Sequence, residues 1–564
     1  MPGACRRARA FPLVAFLFFL CSCADSASRE EPRLLVVISV DQLRADLLTR
    51  YDSLFTGGLR RLLDDGRCFT RAVHDHAITN TAPGHATLAT GVVPARHGIV
   101  DNRWYERVHG EPVRVASVAD STVHILGEPS LRGISPHKML ASSLANWVVD
   151  AHPRAQVVSI GGKSTSATLL AGRARGHVYW FSSAAARFVT SSWYRAAYPE
   201  WLERFHAAAL PRFFADSVWT NSVPAAARAM ARPDSASYEG FRDRSCFPHR
   251  FADRVSARQG GNPETHCRWW CRTPMLDQAI LALAEEAVRS LSLGQDASVD
   301  LLALGLSQVD VVGHQFGPWS LEQLDTLLRL DRALGDFFAY LEDSVGEDRY
   351  VVGFSGDHGV STIPEYLRAQ GRAAARVSRD EIDALLGEIQ DLVPDTDPSP
   401  ETAVLVARRL EALDWVADAM THEELAATTA AEPYVALYRN SYHPERALAF
   451  PLSSRTLGVS PGVFGVEVRL EESTIPDNAR AVHGSPYFYD RHVPLIFMGA
   501  GVAPGPSRAV ARTVDFAPTL ARLAGIPIPD ELDGQALPVD PADVERSYPG
   551  ASRPHRSGLE HPPE

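Results

Sequence analysis

Stretches of nearly continuous apolar residues recur along the chain, and the spaces between them carry helical periodicity. Leu34 to Val40 (LLVVISV) is a seven-residue run rich in β-branched side chains. Such a run lacks the alternation of a half-exposed strand and predicts a strand buried on both faces of a parallel sheet. Leu301 to Leu306, Tyr350 to Phe354 and Val493 to Met498 predict three more of the same kind. Between the second and third runs, Ser320 is followed three residues on by Gln323, a capping-box arrangement. Leu324, Leu327, Leu328, Leu334, Phe337, Phe338 and Leu341 then fall at helical spacing. Strands alternating with helices imply an α/β sandwich, a central, mostly parallel sheet flanked by helices. In sheets of this kind, ligands gather beyond the carboxyl ends of the strands.

Two stretches break the alternation. Residues about 176–272 are rich in aromatics and hold three of the seven cysteines, and residues about 361–480 mix Pro, Ala and charged residues irregularly. Both are expected to be insertions or caps on a single domain that spans about 32–545. From about 546 the chain is Pro, Ser, Gly and His without periodicity, the composition of a disordered tail. At the other end, Arg6, Arg7 and Arg9 precede the apolar stretch Phe11 to Leu20. This is the basic and then apolar order of a secretory signal, too short to cross a bilayer as a helix. The Leu20-Cys21-Ser22-Cys23 that follows resembles a bacterial lipobox. Residues 1–23 are therefore expected to be a lipoprotein-type signal, with Cys23 as the lipidated residue and possible membrane anchor. The mature chain would lie in the periplasm or cell envelope, and a plain secretory signal cut nearby would export it equally. Outside the cytoplasm, Cys68, Cys246, Cys267 and Cys271 are open to pairing, with connectivity not given by spacing. A zinc site on Cys267 and Cys271 would need a second Cys or His pair, and none stands nearby.

Composition narrows the partners. With 45% hydrophobic and 22% charged residues among 564, the chain is globular in character. Its formal net charge of −12 has the wrong sign for gripping a nucleic-acid backbone, so no such binding is expected.

Acidic residues and histidines fall where the predicted strands end. Asp41 directly follows the first run, Asp310 and His314 follow the second, Asp357 and His358 follow the third, and His483 precedes the fourth. A single Asp-His pair means little in a chain with 20 His and 68 acidic residues. The set means more, because a parallel sheet brings the first three groups together. Three carboxylates and three imidazoles suffice for two metal ions with three protein ligands each, leaving positions open for water or substrate. A set without thiolate suits zinc, and by ligand type also admits manganese or iron. Two such ions about 4 Å apart clamp the attacking and leaving oxygens of an in-line displacement, as phosphoryl transfer requires. A nucleophile stands in Thr81-Ala82-Pro83: Pro83 belongs in a first helical turn, so Thr81 would open a helix. Free N–H groups and the helix dipole favour an anion there, and a neighbouring cation activates the hydroxyl.

These residues stand within VDQLRAD, TNTAPGHATLATG followed by HGIVDN, GKSTSATLLAG, FVTSSWY, VDVVGHQFGP, SGDHG, HGSPY and VDFAPTLARLAGI. On these motifs, over about residues 34–537, the chain resembles the alkaline phosphatase superfamily. It is most similar to the bacterial secreted branch with a threonine nucleophile, and more distantly to the type I phosphodiesterase/nucleotide pyrophosphatases. The resemblance implies the alkaline-phosphatase-like sandwich fold, two zinc ions per chain and small phosphate esters as substrates. It implies that Asp310, His314 and His483 hold one zinc and that Asp41, Asp357 and His358 hold the other. Thr81 would attack to give a phosphothreonine that is then hydrolysed, and Asn102 would hydrogen-bond a phosphoryl oxygen.

One departure bears on the substrate. In the monoesterase branch a Lys-x-Arg pair contacts the non-bridging phosphoryl oxygens, and the diesterases lack it. Here Lys163 is kept and Thr165 stands in place of the Arg. A monoester dianion gains more from two fixed cations than a diester monoanion, so the missing Arg should weaken monoester transition-state binding. Arg103 and Arg173 are the candidates to replace it. Lys163 and FVTSSWY favour a zinc-dependent phosphate monoesterase; Thr165 favours a phosphodiesterase or nucleotide pyrophosphatase on the same site. A non-catalytic envelope binding lipoprotein would have no need of all six ligands and the nucleophile. Sulfatase and phosphonate-hydrolase relatives need a C/S-x-P-x-R motif, from which Thr81-Ala82-Pro83-Gly84-His85 departs.

Overall fold

A computed structural model describes residues 32–109, 111–214, 217–240, 245–251, 263–392, 399–427, 432–446, 462–463 and 465–541. The predicted signal with Cys23 and the predicted tail from 546 lie outside the described residues. The four apolar runs are strands, and five further strands join them in one sheet. The nine are β1 (Leu34–Val40), β2 (Arg67–Val73), β3 (Val157–Gly161), β4 (His177–Ser182), β5 (Arg187–Val189), β6 (Asp300–Leu306), β7 (Tyr350–Ser355), β8 (Leu495–Gly499) and β9 (Gly505–Arg512). Their order across the sheet is β9-β2-β8-β7-β1-β6-β3-β4-β5.

The centre, from β7 through β1, β6 and β3 to β4, is parallel. β8 runs antiparallel to both β7 and β2, and β5 runs antiparallel to β4. The run Val493 to Met498 reads like its parallel neighbours because two-sided burial, not direction, sets its composition.

Every residue of β1 is buried. Leu34, Val36, Ile38 and Val40 pack on one face of the sheet, and Leu35 and Val37 pack on the other, following the two-residue period of a strand. The first face is covered by the helices Met275–Leu291 and Leu321–Ser344, the second by Leu144–Ala151 and Phe516–Leu523. Each fully buried Leu, Ile or Val contributes about 1.5–3 kcal/mol relative to exposure. Half of the predicted capping box is present: Ser320 Oγ accepts the Gln323 N–H at 3.1 Å and opens the helix Leu321–Ser344, while the Gln323 amide turns away to the Val309 carbonyl and the Ser320 N–H donates to the Gly317 carbonyl.

The first expected insertion begins later than residue 176. β4 and β5 lie within its expected bounds yet extend the central sheet. The aromatic run HVYWFS suits a paired, buried strand as well as a cap, and only its pairing to β3 distinguishes the two. Within 361–480, the helices Arg379–Leu392 and Pro400–Glu411 share a core with the strands Val416–Thr421 and Val466–Leu470. Ile382, Ile389, Val406, Leu410, Val416 and Val466 belong to this cluster, which is separate from the two on the faces of the sheet. Among the described residues Cys68, Cys246, Cys267 and Cys271 form no disulfide, and the Cys267 and Cys271 sulfurs lie 3.9 Å apart. Among the described residues no helix is long and apolar enough to cross a membrane.

Candidate active site

The register aligns the carboxyl ends of the central strands, pairing Val40 with Leu306 and Ser39 with Ser355. Asp41 follows β1, and Asp357 and His358 follow β7. Asp310 and His314 stand four residues apart on the helix Gln308–Phe316, which follows β6. His483 comes to the same edge because β8 is antiparallel to β7, so the start of β8 lies beside the end of β7.

The six groups meet in two clusters. His314 Nε2 lies 3.2 Å and His483 Nε2 3.8 Å from Asp310 Oδ1. His358 Nε2 lies 3.4 Å from Asp41 Oδ1 and 3.5 Å from Asp357 Oδ2, and Thr81 Oγ1 is 3.4 Å from the same nitrogen. The clusters share a wall, since the His358 and His483 rings stack at 3.7 Å. Asp310 is also within metal-sharing reach of Asp41 and His358, which makes it common to both. Lys163 Nζ stands 2.6 Å from both Asp41 Oδ2 and Asp310 Oδ2. Thus all six predicted ligands, Thr81 and Lys163 come together, and Asn102 adjoins them by accepting the Ala82 N–H on Oδ1 at 2.8 Å.

The groups fit divalent cations. Each imidazole turns Nδ1 to a backbone carbonyl: His314 to Ala481, His358 to Gly359 and His483 to Thr79, at 2.9, 2.8 and 3.0 Å. That contact fixes the tautomer with Nδ1 protonated and leaves Nε2 lone pairs facing inward, the orientation that metal-binding histidines adopt. Asp41 Oδ1 is a buried acceptor that has no hydrogen-bond donor among the described residues. Burial, followed by the charges of Asp310 and Asp357, raises the Asp41 carboxyl well above its usual range. Burial also pushes the Asp310 carboxyl upward, but Lys163 and His314 hold it well below. Burial, with His358 and His314 adding to it, keeps His483 neutral to well below the usual imidazole range. Burial would lower His314 as well, but Asp310 raises it above the usual imidazole range. A crowd of carboxylates and imidazoles of this kind is stabilised by added positive charge.

The helix Thr81–Thr90 opens on Thr81, as the sequence predicts. Its first N–H groups are less available than expected. Ala82 donates to Asn102 and Gly84 donates to the Asn80 carbonyl. Because Asn102 Oδ1 is spent on that bond, its Nδ2 remains the donor end. Asp101 Oδ1 accepts from both Asn80 Nδ2 and the Asn102 N–H, each at 2.6 Å, and so locks the residue before the nucleophile to the phosphoryl-binding candidate.

Sequence reasoning assigned no role to Gln42, Gly84, His85 or Ser441. His85 Nδ1 bonds the Thr81 carbonyl at 2.8 Å and lies 3.0 Å from Asp357 Oδ2. Ser441, at the end of the helix Pro433–Ser441, accepts the N–H groups of Ala77 and Ile78 at 2.9 and 3.1 Å and so steadies the loop leading to Thr81. Gly84 allows close approach: a Cβ there would stand 2.0 Å from the Asp357 carbonyl oxygen. Gly84→Ala is expected to lower kcat by about 100-fold by displacing Thr81 and stability by about 1–3 kcal/mol. Steady-state turnover and a urea melt measure both, and native turnover would mean that the helix withdraws without moving its nucleophile. The signal for these residues was present in the motifs, but a polar or glycine position shows no partner until the chain is folded.

Arg173 donates from Nη2 to the Met139 carbonyl at 2.5 Å, and Arg103 is exposed at the start of a hairpin.

A model of the type I phosphodiesterase/nucleotide pyrophosphatase family matches residues 35–449. The chain belongs to that family. Within this phosphodiesterase family it is similar over most of its length to proteins described as alkaline phosphatases. PhoV of Synechococcus elongatus is 28% identical, over 90% of this chain and 92% of that protein. PafA of Elizabethkingia meningoseptica is 29% identical, over 90% and 94%. A crystal structure of alkaline phosphatase PafA superposes with TM-score 0.79 at 25% identity, covering 90% of this chain and 98% of that one. A PafA variant with a threonine, an asparagine, a lysine and an arginine replaced matches with TM-score 0.80 at 25% identity, over 90% and 98%. This member of the phosphodiesterase family is a phosphoric ester hydrolase of α/β fold.

Proposed function

We propose that the protein is a zinc-dependent phosphate monoesterase that works through a phosphothreonine at Thr81. The observation that carries this reading is the convergence of Asp41, Asp357 and Thr81 on His358 Nε2, with Lys163 Nζ in the same cradle. Asp310, His314 and His483 would hold one zinc, and Asp41, Asp357 and His358 the other. Bound there, the ions would lower the pKa of a neighbouring hydroxyl and neutralise charge on the phosphoryl oxygens.

The remaining chemistry belongs to the chain. Thr81 Oγ1 forms a bond to phosphorus as the ester oxygen leaves, and water later breaks that bond and restores the hydroxyl. Asn102 offers Nδ2 to a phosphoryl oxygen, because Ala82 holds its Oδ1. Lys163 offers one fixed cation to the same group; burial alone would lower its pKa, but Asp310 and Asp41 raise it, so it stays charged. The basic and apolar start of the chain, with Cys23, supports export.

A diesterase reading retains one specific support. In the PafA variant the replaced lysine and arginine stand two positions apart, the spacing of Lys163 and Thr165. The test is kcat/KM of the zinc-loaded protein on an aryl phosphate monoester and the matching diester. A ratio above one is expected for the monoester. Thr165→Arg should raise that ratio by about 10- to 100-fold, since a hydrogen bond to a charged group contributes about 1.5–3 kcal/mol. A native ratio below one would assign the protein to diester hydrolysis.

A further inference from the structure

Gln42 follows Asp41 and has a left-handed backbone, with φ at 67°. A non-glycine residue in that region costs on the order of 1–3 kcal/mol and persists only where its surroundings hold it. What holds Gln42 is visible. The side chain is fully buried; its backbone N–H donates to Asp357 Oδ1 at 3.0 Å, and its Nε2 donates to Asp310 Oδ1 at 2.8 Å. Asp357 follows β7 and Asp310 lies beyond β6, the two strands that flank β1. One residue at the end of β1 therefore ties down a carboxylate on either side.

A steric contact completes the arrangement. A Cβ on Gly313 would stand 1.9 Å from Gln42 Oε1, with the next atoms at 3.2 Å, in Gln42 itself, and 3.7 Å. Gly313 stands one residue before His314 on the helix that also bears Asp310. A side chain at that position would meet Gln42 first and drive its amide away from Asp310.

We infer that Gln42 is a positioning residue for the metal cradle: its side-chain amide orients Asp310, its left-handed backbone orients Asp357, and Gly313 leaves the amide room to do so. Three carboxylates in one small space repel one another. A neutral donor bridging two of them restrains their rotation without competing as a cation for the inward lone pairs. Partners of this kind raise metal affinity by about 10- to 100-fold. This inference rests on the reading that Asp310 and Asp357 bind zinc.

The test is zinc retention against a chelator, alongside kcat and KM on an aryl phosphate monoester. Gln42→Gly keeps the backbone conformation and removes the amide; Gln42→Leu removes the amide and keeps the bulk. Both should weaken retention of at least one zinc by about 10-fold or more and lower kcat more than KM changes. Gly313→Ala should produce a similar loss in the native background. Added to Gln42→Gly, it should produce no further loss, because the group it strikes is gone. If Gln42→Leu does not fold, the Gln42→Gly and Gly313→Ala pair carries the test alone. Native zinc retention in Gln42→Gly, or losses that add in full, would overturn the inference. A native protein that retains no zinc would instead overturn the metal reading beneath it.

Discussion

Thr81→Ala is expected to lower kcat on a phosphate monoester by on the order of 10³- to 10⁶-fold, the range seen when a covalent nucleophile is removed. The fold should survive. Ala is a better helix former than Thr, and the Thr81 hydroxyl engages His358, a site residue, at 3.4 Å. The loss would therefore be chemical rather than structural. Acid quench during turnover of a labelled monoester should trap phosphate on the peptide bearing Thr81 in the native protein and none in the variant. Turnover within ten-fold of native would exclude Thr81 as the nucleophile.

Asp310→Ala is expected to remove at least one zinc equivalent per chain and to lower kcat by on the order of 10³-fold. The size of the effect follows from Asp310's place in both clusters. It also balances charge: Lys163 Nζ and the His314 and His483 rings all face it. Removing it leaves Lys163 paired with Asp41 alone and leaves His314 Nε2 without its 3.2 Å neighbour. Breaking one of the two ion pairs of Lys163 is costly in a buried site, so the melting temperature should fall by a few degrees even as the sheet persists. Metal analysis after dialysis, with turnover in parallel, measures the effect. Two retained zinc ions with native kcat would overturn the assignment.

Much of this site was legible along the chain because strand ends are legible. Two-sided burial makes β1, β6 and β7 nearly continuous apolar runs, and Asp41, Asp310, His314, Asp357 and His358 follow the ends of these runs, whereas His483 precedes β8. Thr81 was legible for a similar reason, since a Pro two residues later belongs in the first turn of a helix. The availability of its N–H groups was not, because Asn102 takes one of them from 20 residues away. The bounds of the first insertion were misread at β4, where an aromatic run packs as a strand against β3. A cap and a sheet edge draw on the same apolar residues, and only pairing separates them.

The order of residues alone determines the chemistry available here. Carboxylates, imidazoles, one hydroxyl and one ammonium each stand beside an element whose burial pattern announces it, and local pattern suffices because adjacency is covalent. Distances were decided by the tertiary structure. Lys163 meets Asp310 across 147 residues, Gln42 meets Asp357 across 315, and Ser441 meets Ala77 across 364. None of these pairs leaves a local trace, because register between distant strands and the seating of a cap arise from packing over the whole core. The same holds for Gly84 and Gly313, whose lack of a side chain acquires meaning only against the carbonyl of Asp357 and the amide of Gln42.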